Sequence, residues 1–149
     1  MNYEVEIIKT HPDAVLPEYK NPGDAGMDLV ARLDGSVAVY PGKNIVIPTG
    51  IKIHIKDPNL VGIIAGRSGL ALKDSVRPGN GIGVIDCNYL GEVGFIACND
   101  GNDVYVIRSG DRVAQILFMP VARVAWKVVD QFSETTERGE GGFGSTGKQ

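Results

Sequence analysis

Three groups of residues in this 149-residue chain have types and spacings suited to chemistry. Asp28 and Asp86 each sit in a glycine-containing apolar setting, Ala25-Gly26-Met27-Asp28-Leu29 and Gly83-Val84-Ile85-Asp86. A carboxylate among Val, Ile and Leu needs a reason, because charged side chains avoid apolar surroundings unless they are partnered. Such carboxylates are the better candidates for chemistry, although either Asp read alone is as readily a turn or helix N-cap residue. Arg67-Ser68-Gly69 follows the apolar run Val61 to Ala65. A cation, a hydroxyl and a permissive backbone at a strand end suit a phosphate, though a surface Arg with its stem on apolar residues has the same pattern. The third group is the tail. From Gly139 to Gly147 five of nine residues are glycine, and Arg138, Phe143, Ser145, Thr146 and Lys148 lie in or beside the stretch. Cations, hydroxyls and an aromatic on a backbone that loses much entropy when ordered are the parts of a nucleotide clamp, although a frayed terminus has such a composition too.

Several other chemistries find no support. Gly142 to Lys148 nearly matches a P-loop, but Gln149 stands where Ser or Thr is needed and no strand precedes the motif. His11 and His54 are too few and too scattered for a metal cage, and His54 falls on the face opposite Ile51, Ile53 and Ile55 as a solvated strand residue. There is no Gly-x-Ser-x-Gly nucleophile. Cys87 and Cys98 give neither a disulfide framework nor zinc spacing, and read as buried thiols of a reducing compartment.

The elements that must position these groups are short strands. Ile51 to Lys56 alternates strictly, as a half-buried strand does. Val37 to Tyr40, Ile45 to Ile47, Val61 to Ala65, Val93 to Cys98, Val104 to Arg108, Val113 to Met119 and Val121 to Val129 are further strand candidates, separated by Gly, Pro, Asn and Asp. Asn99 to Asn102 and Tyr40 to Lys43 read as turns, and Leu70 to Ser75 is the one short helical candidate. This pattern predicts an all-β sandwich or barrel in one domain. A net charge of -3 argues against a broad basic surface for nucleic acid, while a few converging Arg residues can still make a local anion site. No run is apolar enough to span a bilayer and Met1 to Thr10 has no signal-peptide pattern, so a cytoplasmic location is expected.

Five segments, in order, resemble the five motifs of the trimeric dUTPases: Ala25 to Leu29, Gly66-Arg67-Ser68-Gly69-Leu70-Ala71, Gly83 to Glu92, Gly110-Asp111-Arg112-Val113-Ala114-Gln115, and Arg138 to Gly147. The resemblance spans roughly Val15 to Gly147, and its third and fifth segments together are its most specific part. Gly66 stands where family members often have Pro.

The resemblance implies a β jelly roll (a distorted barrel) with one short helix over residues 1–137, and a swapped, flexible C-terminal arm over 138–149. It implies a homotrimer in which that arm closes over a neighbouring subunit's site. The implied activity is Mg²⁺-dependent hydrolysis of dUTP to dUMP and pyrophosphate by water attack on the α-phosphorus. Such a reaction keeps uracil out of DNA and supplies dUMP for dTMP synthesis. Asp86 is then the general base and Asp28 holds Mg²⁺ through water. Arg67, Ser68 and Gly69 bind the phosphate chain with Gln115 near it, Arg138, Ser145 and Thr146 hold the γ-phosphate from the arm, and Gly144 of the arm binds substrate. A hairpin from Asn80 to Asp86, including Val84 and Ile85, reads uracil with the main chain near Gly94; Tyr89 packs on deoxyribose and Phe143 stacks on the base. Two rivals share the scaffold. A dCTP deaminase uses a different acid–base arrangement, and the intact third and fifth segments favour hydrolysis at phosphorus. A nucleotide-sensing interaction protein would need a docking surface, and no insertion between the motifs supplies one.

Overall fold

In the computed structural model, which describes residues 3–142, the alternating segments form ten strands and one helix. The strands are β1 (Glu6–Lys9), β2 (Met27–Val30), β3 (Ser36–Val39), β4 (Asn44–His54), β5 (Leu60–Ala65), β6 (Val76–Pro78), β7 (Gly83–Ile85), β8 (Glu92–Asn99), β9 (Tyr105–Arg108) and β10 (Arg112–Pro120); α1 is Ser68–Asp74. One sheet has the order β1-β4-β8-β6 and the other β2-β10-β5-β7, with β3-β9 as a separate ribbon, and every pairing is antiparallel. The expected all-β jelly-roll architecture is thus present, with its sheets open rather than closed into a barrel.

Period-two alternation chooses the core. Ile47, Ile51 and Ile53 of β4 and Val93, Phe95 and Ala97 of β8 face inward from one sheet; Leu29, Ile64, Ile85, Ala114 and Ile116 meet them from the other. Ile45 to Ile47 and Ile51 to Lys56, read as two strands, are one long β4 that contains Pro48-Thr49-Gly50. The turn-like residues make a bulge instead, with the register against β8 shifting between Pro48 and Lys52. Gly50 adopts φ +71°, its N–H donates to Glu92 Oε1 at 2.9 Å, and a Cβ there would come within 2.7 Å of Ala14 Cβ.

Val121 to Val129 is a correction. It alternates like a strand but has no regular structure, and Trp126 and Val128 are 91% and 94% exposed. A strand needs a partner edge: β2 pairs with β10 only as far as Ile116 and β5 only as far as Pro120, whose imide nitrogen cannot donate, so neither neighbour continues alongside Val121 to Val129. Among the described residues, Val121 N–H, to Asn59 O, and the Arg123 guanidinium, to Pro58 O, tie the segment to the loop before β5. Among the described residues, regular structure therefore ends at Pro120, well before residue 137.

Both expected turns form. Lys43 N–H donates to Tyr40 O, and Gly101 N–H to Asn99 Oδ1. Asn99 itself is fully buried and donates to Val39 O and Asp103 O, so it joins three connections.

Candidate active site

The expected site residues fall into two groups. The first surrounds the end of β5. Asp28 on β2 lies beside Gln115 on β10, which in turn lies beside Ala65, the last residue of β5. Just past that end, Arg67 turns back so that its Nε reaches Asp28 Oδ1 at 3.0 Å and its Nη1 donates to Arg112 O at 3.0 Å. Arg112 Nη1 donates to the other carboxylate oxygen, Oδ2, at 3.0 Å. The Asp28 side chain is only 18% exposed, which explains how a carboxylate survives among apolar residues: each oxygen is held by a guanidinium. Gln115 Nε2 donates to Gly66 O, fixing the loop before Arg67. A Cβ on Gly26 would stand 2.7 Å from Gln115 Oε1, and one on Gly66 would stand 2.8 Å from Pro78 Cδ. Gly66 is therefore demanded by close approach to the rigid Pro78 ring, which a proline there would meet, whereas a side chain at Gly26 would displace only the end of the Gln115 side chain. Ser68 and Gly69 open α1 and are exposed.

The second group surrounds β7. Val84 is exposed and Ile85 is buried, so Ile85 offers an approaching ligand its main chain only. Asp86 follows, exposed, and its carbonyl accepts from Tyr89 N–H at 3.1 Å, closing a turn over Cys87 and Asn88. The Tyr89 hydroxyl donates to Glu92 O at 3.0 Å, and its ring lies so close to Gly91 that a Cβ there would sit 2.3 Å from the hydroxyl. The ring is thereby held in one orientation with its outer face open. Gly94 faces Pro48 on β4, and a Cβ on it would meet Val46. A cleft of about 390 Å³ runs beside Asp86, lined in part by Val84, Asn88, Val121 and Arg123.

The Asn80 to Asp86 segment is not a hairpin with paired arms. β6 pairs with β8 in one sheet and β7 with β5 in the other, so Asn80 lies in a loop that crosses between sheets. Its turns are internal: Gly81 N–H donates to Pro78 O and Ile82 N–H to Asn80 O.

Within one chain the two groups stand apart. Ile85 pairs with Gly62, so Asp86 falls level with Val61, whereas Asp28 and Gln115 fall level with Ala65. Four residues of antiparallel strand are about 13 Å. Arg138 is exposed and its Nε donates to Gly141 O. Phe143, Gly144, Ser145 and Thr146 lie outside the described residues.

Arg112 and Arg123 received no role from the sequence. Arg112 stood inside the fourth segment, where its neighbourhood of Gly110, Asp111 and Gln115 was the available signal. Arg123 stands in the Val121 to Val129 stretch, whose alternation gives no such signal. Of the two thiols, Cys98 is buried and Cys87 only half-buried. Burial pushes the Cys98 thiol up, Asp100 adds to this, and the group stays protonated and poorly nucleophilic. His54, as expected, is a half-exposed strand residue, paired with Glu6 at 3.3 Å. Among the described residues no cluster of His, Cys, Asp and Glu could by itself cage a metal, and no helix is long and apolar enough to cross a membrane.

The chain is an open antiparallel jelly roll that carries a carboxylate clamped by two arginines at one end of a sheet. The dUTPase family model matches residues 13–147, and the chain belongs to the dUTPase family. A deoxyuridine 5'-triphosphate nucleotidohydrolase of Tolumonas auensis is 49% identical over 133 residues, covering 89% of this chain and 87% of the relative. Its counterpart in Aeromonas salmonicida is 47% identical, covering 90% and 88%. The dUTPase of Staphylococcus bacteriophage 80alpha, solved with dUPNHPP, superposes with a TM-score of 0.85 at 25% identity, covering 98% of this chain and 99% of that one.

Proposed function

We propose that the chain hydrolyses dUTP to dUMP and pyrophosphate, with Asp86 activating water for attack on the α-phosphorus. The observation that carries this reading is the division of the site. The β7 group has what a deoxynucleoside needs: a free carboxylate, an oriented aromatic face and exposed main chain. The β5 group has what a phosphate chain needs: Arg67, Arg112 and the exposed Ser68 and Gly69 around a held carboxylate. Separated by about 13 Å along the strands, they would act together most simply across a junction between two copies. This favours the homotrimer, with the nucleoside half from one subunit and the phosphate half from another.

In this reading Arg67, Ser68, Gly69 and Gln115 take the phosphate chain, Arg138, Ser145 and Thr146 take the γ-phosphate from the arm, and Gly144 of the arm binds substrate. Asn80, Val84, Ile85 and Gly94 read uracil. Its N3 is a donor where cytosine has an acceptor, and main-chain groups cannot exchange those roles. Tyr89 lies flat on deoxyribose, which leaves no room for a 2′-hydroxyl, and Phe143 stacks on the base. The product would feed dTMP synthesis while uracil is kept from DNA, in the cytoplasm.

Mg²⁺ fits this donor set in one manner. Both Asp28 oxygens already accept from arginines, yet a carboxylate has lone pairs to spare for a metal-bound water. The ion would ride mainly on the triphosphate, as Mg²⁺ commonly does, with Asp28 holding one of its waters. When bound it neutralises charge on the phosphates; positioning, base reading and proton acceptance at Asp86 belong to the chain.

The test is pyrophosphate release from each dNTP with and without Mg²⁺, for the natural chain and for Asp86→Asn. General-base removal lowers turnover by about 10²–10⁴-fold while dUTP binding persists. Turnover near the natural level in Asp86→Asn would remove Asp86 from this role.

A further inference from the structure

Asn80 is followed by glycine, and among the described residues it is the one asparagine that is. Both residues are exposed, the space around the Gly81 α-carbon is open, and the Asn80 side chain makes no hydrogen bond among the described residues. The other described asparagines are protected in different ways. Asn99 is buried with its amide tied to Val39 O and Asp103 O. Asn21 is bound to Asp24 and precedes Pro22, which has no N–H to attack with. Asn44, Asn59, Asn88 and Asn102 precede Ile, Leu, Tyr and Asp, whose side chains hinder the following nitrogen.

We propose that Asn80 is a site of spontaneous deamidation, a covalent change placed in the loop that reads the base. The Gly81 nitrogen attacks Asn80 Cγ. A C–N bond forms to close a five-membered succinimide, the Cγ–NH₂ bond breaks, and ammonia leaves with the Gly81 proton. Water then adds to one of the two ring carbonyls. Opening at one gives aspartate at position 80; opening at the other gives isoaspartate, with the main chain rerouted through the side-chain carbon. Overall, one water enters and one ammonia leaves.

The local backbone both permits and limits the step. Asn80 O accepts from Ile82 N–H at 2.9 Å with Gly81 at φ +75°, a tight γ-turn in a region glycine tolerates and other residues avoid. The attacking nitrogen is held only by a long 3.2 Å bond to Pro78 O, an acceptor already shared with Arg77 Nη1. Opening that single bond frees it.

The consequence rests on the base-reading role proposed above for Asn80. An amide both donates and accepts, whereas a carboxylate only accepts. The donor aimed at a uracil carbonyl is lost, while an acceptor is offered that matches the cytosine amino group. Isoaspartate further adds one atom to the main chain between Pro78 and Gly83, which displaces β7 and hence Asp86. Loss of a buried hydrogen bond in the complex corresponds to a fall of about tenfold or more in kcat/KM for dUTP, with a smaller fall for dCTP.

The experiment ages the full-length protein in mildly alkaline buffer, with and without a non-hydrolysable dUTP analogue plus Mg²⁺, and follows each asparagine by peptide mass spectrometry beside dUTP and dCTP turnover. Conversion at Asn80 well ahead of Asn88 and Asn102, slowed by the analogue, supports the proposal. Conversion at Asn80 no faster than at those residues in the native protein, while the urea-unfolded chain does convert there, overturns it. Conversion without loss of dUTP activity leaves the modification standing and removes Asn80 from base reading.

Discussion

Replacing Asp28 by asparagine separates electrostatics from shape at the phosphate end of the site. Asparagine keeps the volume but offers one acceptor and one donor in place of two charged acceptors. One guanidinium keeps a weakened contact, and the other meets an N–H that repels its own. Arg67 is 28% exposed and Arg112 51%, so the amide turns its donor toward Arg112, which can withdraw into water. The Arg67 contact then falls from charge-assisted to neutral strength, about 1 kcal/mol. The Arg112 contact, being half-exposed, accounts for up to about 1 kcal/mol more. A loss of about 1–2 kcal/mol at roughly 2–4 °C per kcal/mol lowers Tm by about 2–8 °C. The assay is thermal unfolding at one fixed protein concentration, since the proposed trimer would make Tm depend on concentration. Arg112→Ala supplies the cycle: in that background Asp28→Asn loses less, because the second contact has already gone. An unchanged Tm for Asp28→Asn, or equal losses in both backgrounds, would refute the clamp.

Three further outcomes are expected. Tyr89→Ala opens space beside the sugar, so the ratio of kcat/KM for dUTP over UTP narrows; an unaltered ratio would move discrimination elsewhere. A chain ending at Glu137 keeps the strands, which end at Pro120, and therefore folds. It loses most dUTP hydrolysis but retains measurable dUMP affinity, checked by pyrophosphate release and calorimetric titration of dUMP. Hydrogen bonds from Lys56 hold the Glu6 carboxyl below its usual range, and those from Arg77 do the same for Asp100. Both depressions stabilise the fold above the ordinary carboxylate range, and that stabilisation is lost as pH falls through the lowered folded values. Arg77→Ala should flatten the acid side of a Tm-against-pH curve.

The strand core was legible because Ile47, Ile51, Ile53 and Phe95 obey period-two alternation. The same rule misled at Val121 to Val129, because alternation reports a strand's faces and says nothing of whether a partner edge exists within the chain. Pro48-Thr49-Gly50 looked like punctuation; only the register against β8 reveals a bulge. The five segments located the chemistry by family pattern, but not its partition. That Asp86 and Arg67 lie toward opposite ends of a sheet follows from the β5–β7 and β5–β10 registers, which local sequence does not encode. The Asp28 clamp was likewise hidden, since Arg67 and Arg112 reach it from distant segments.

The position of β10 has a consequence for biogenesis. It is the last strand among the described residues, yet it lies inside its sheet between β2 and β5, so β2 has no partner, and β5 only β7 on its other edge, until residues 112–120 have left the ribosome. At about 5–20 residues per second, β2 and β5 wait several seconds with open edges. Closure then joins Asp28 to Gln115 across most of the chain, a pairing whose long loop makes it slow. The nascent protein is therefore most prone to aggregate just before its final strand arrives, and chaperones that shield exposed β edges would act in that interval.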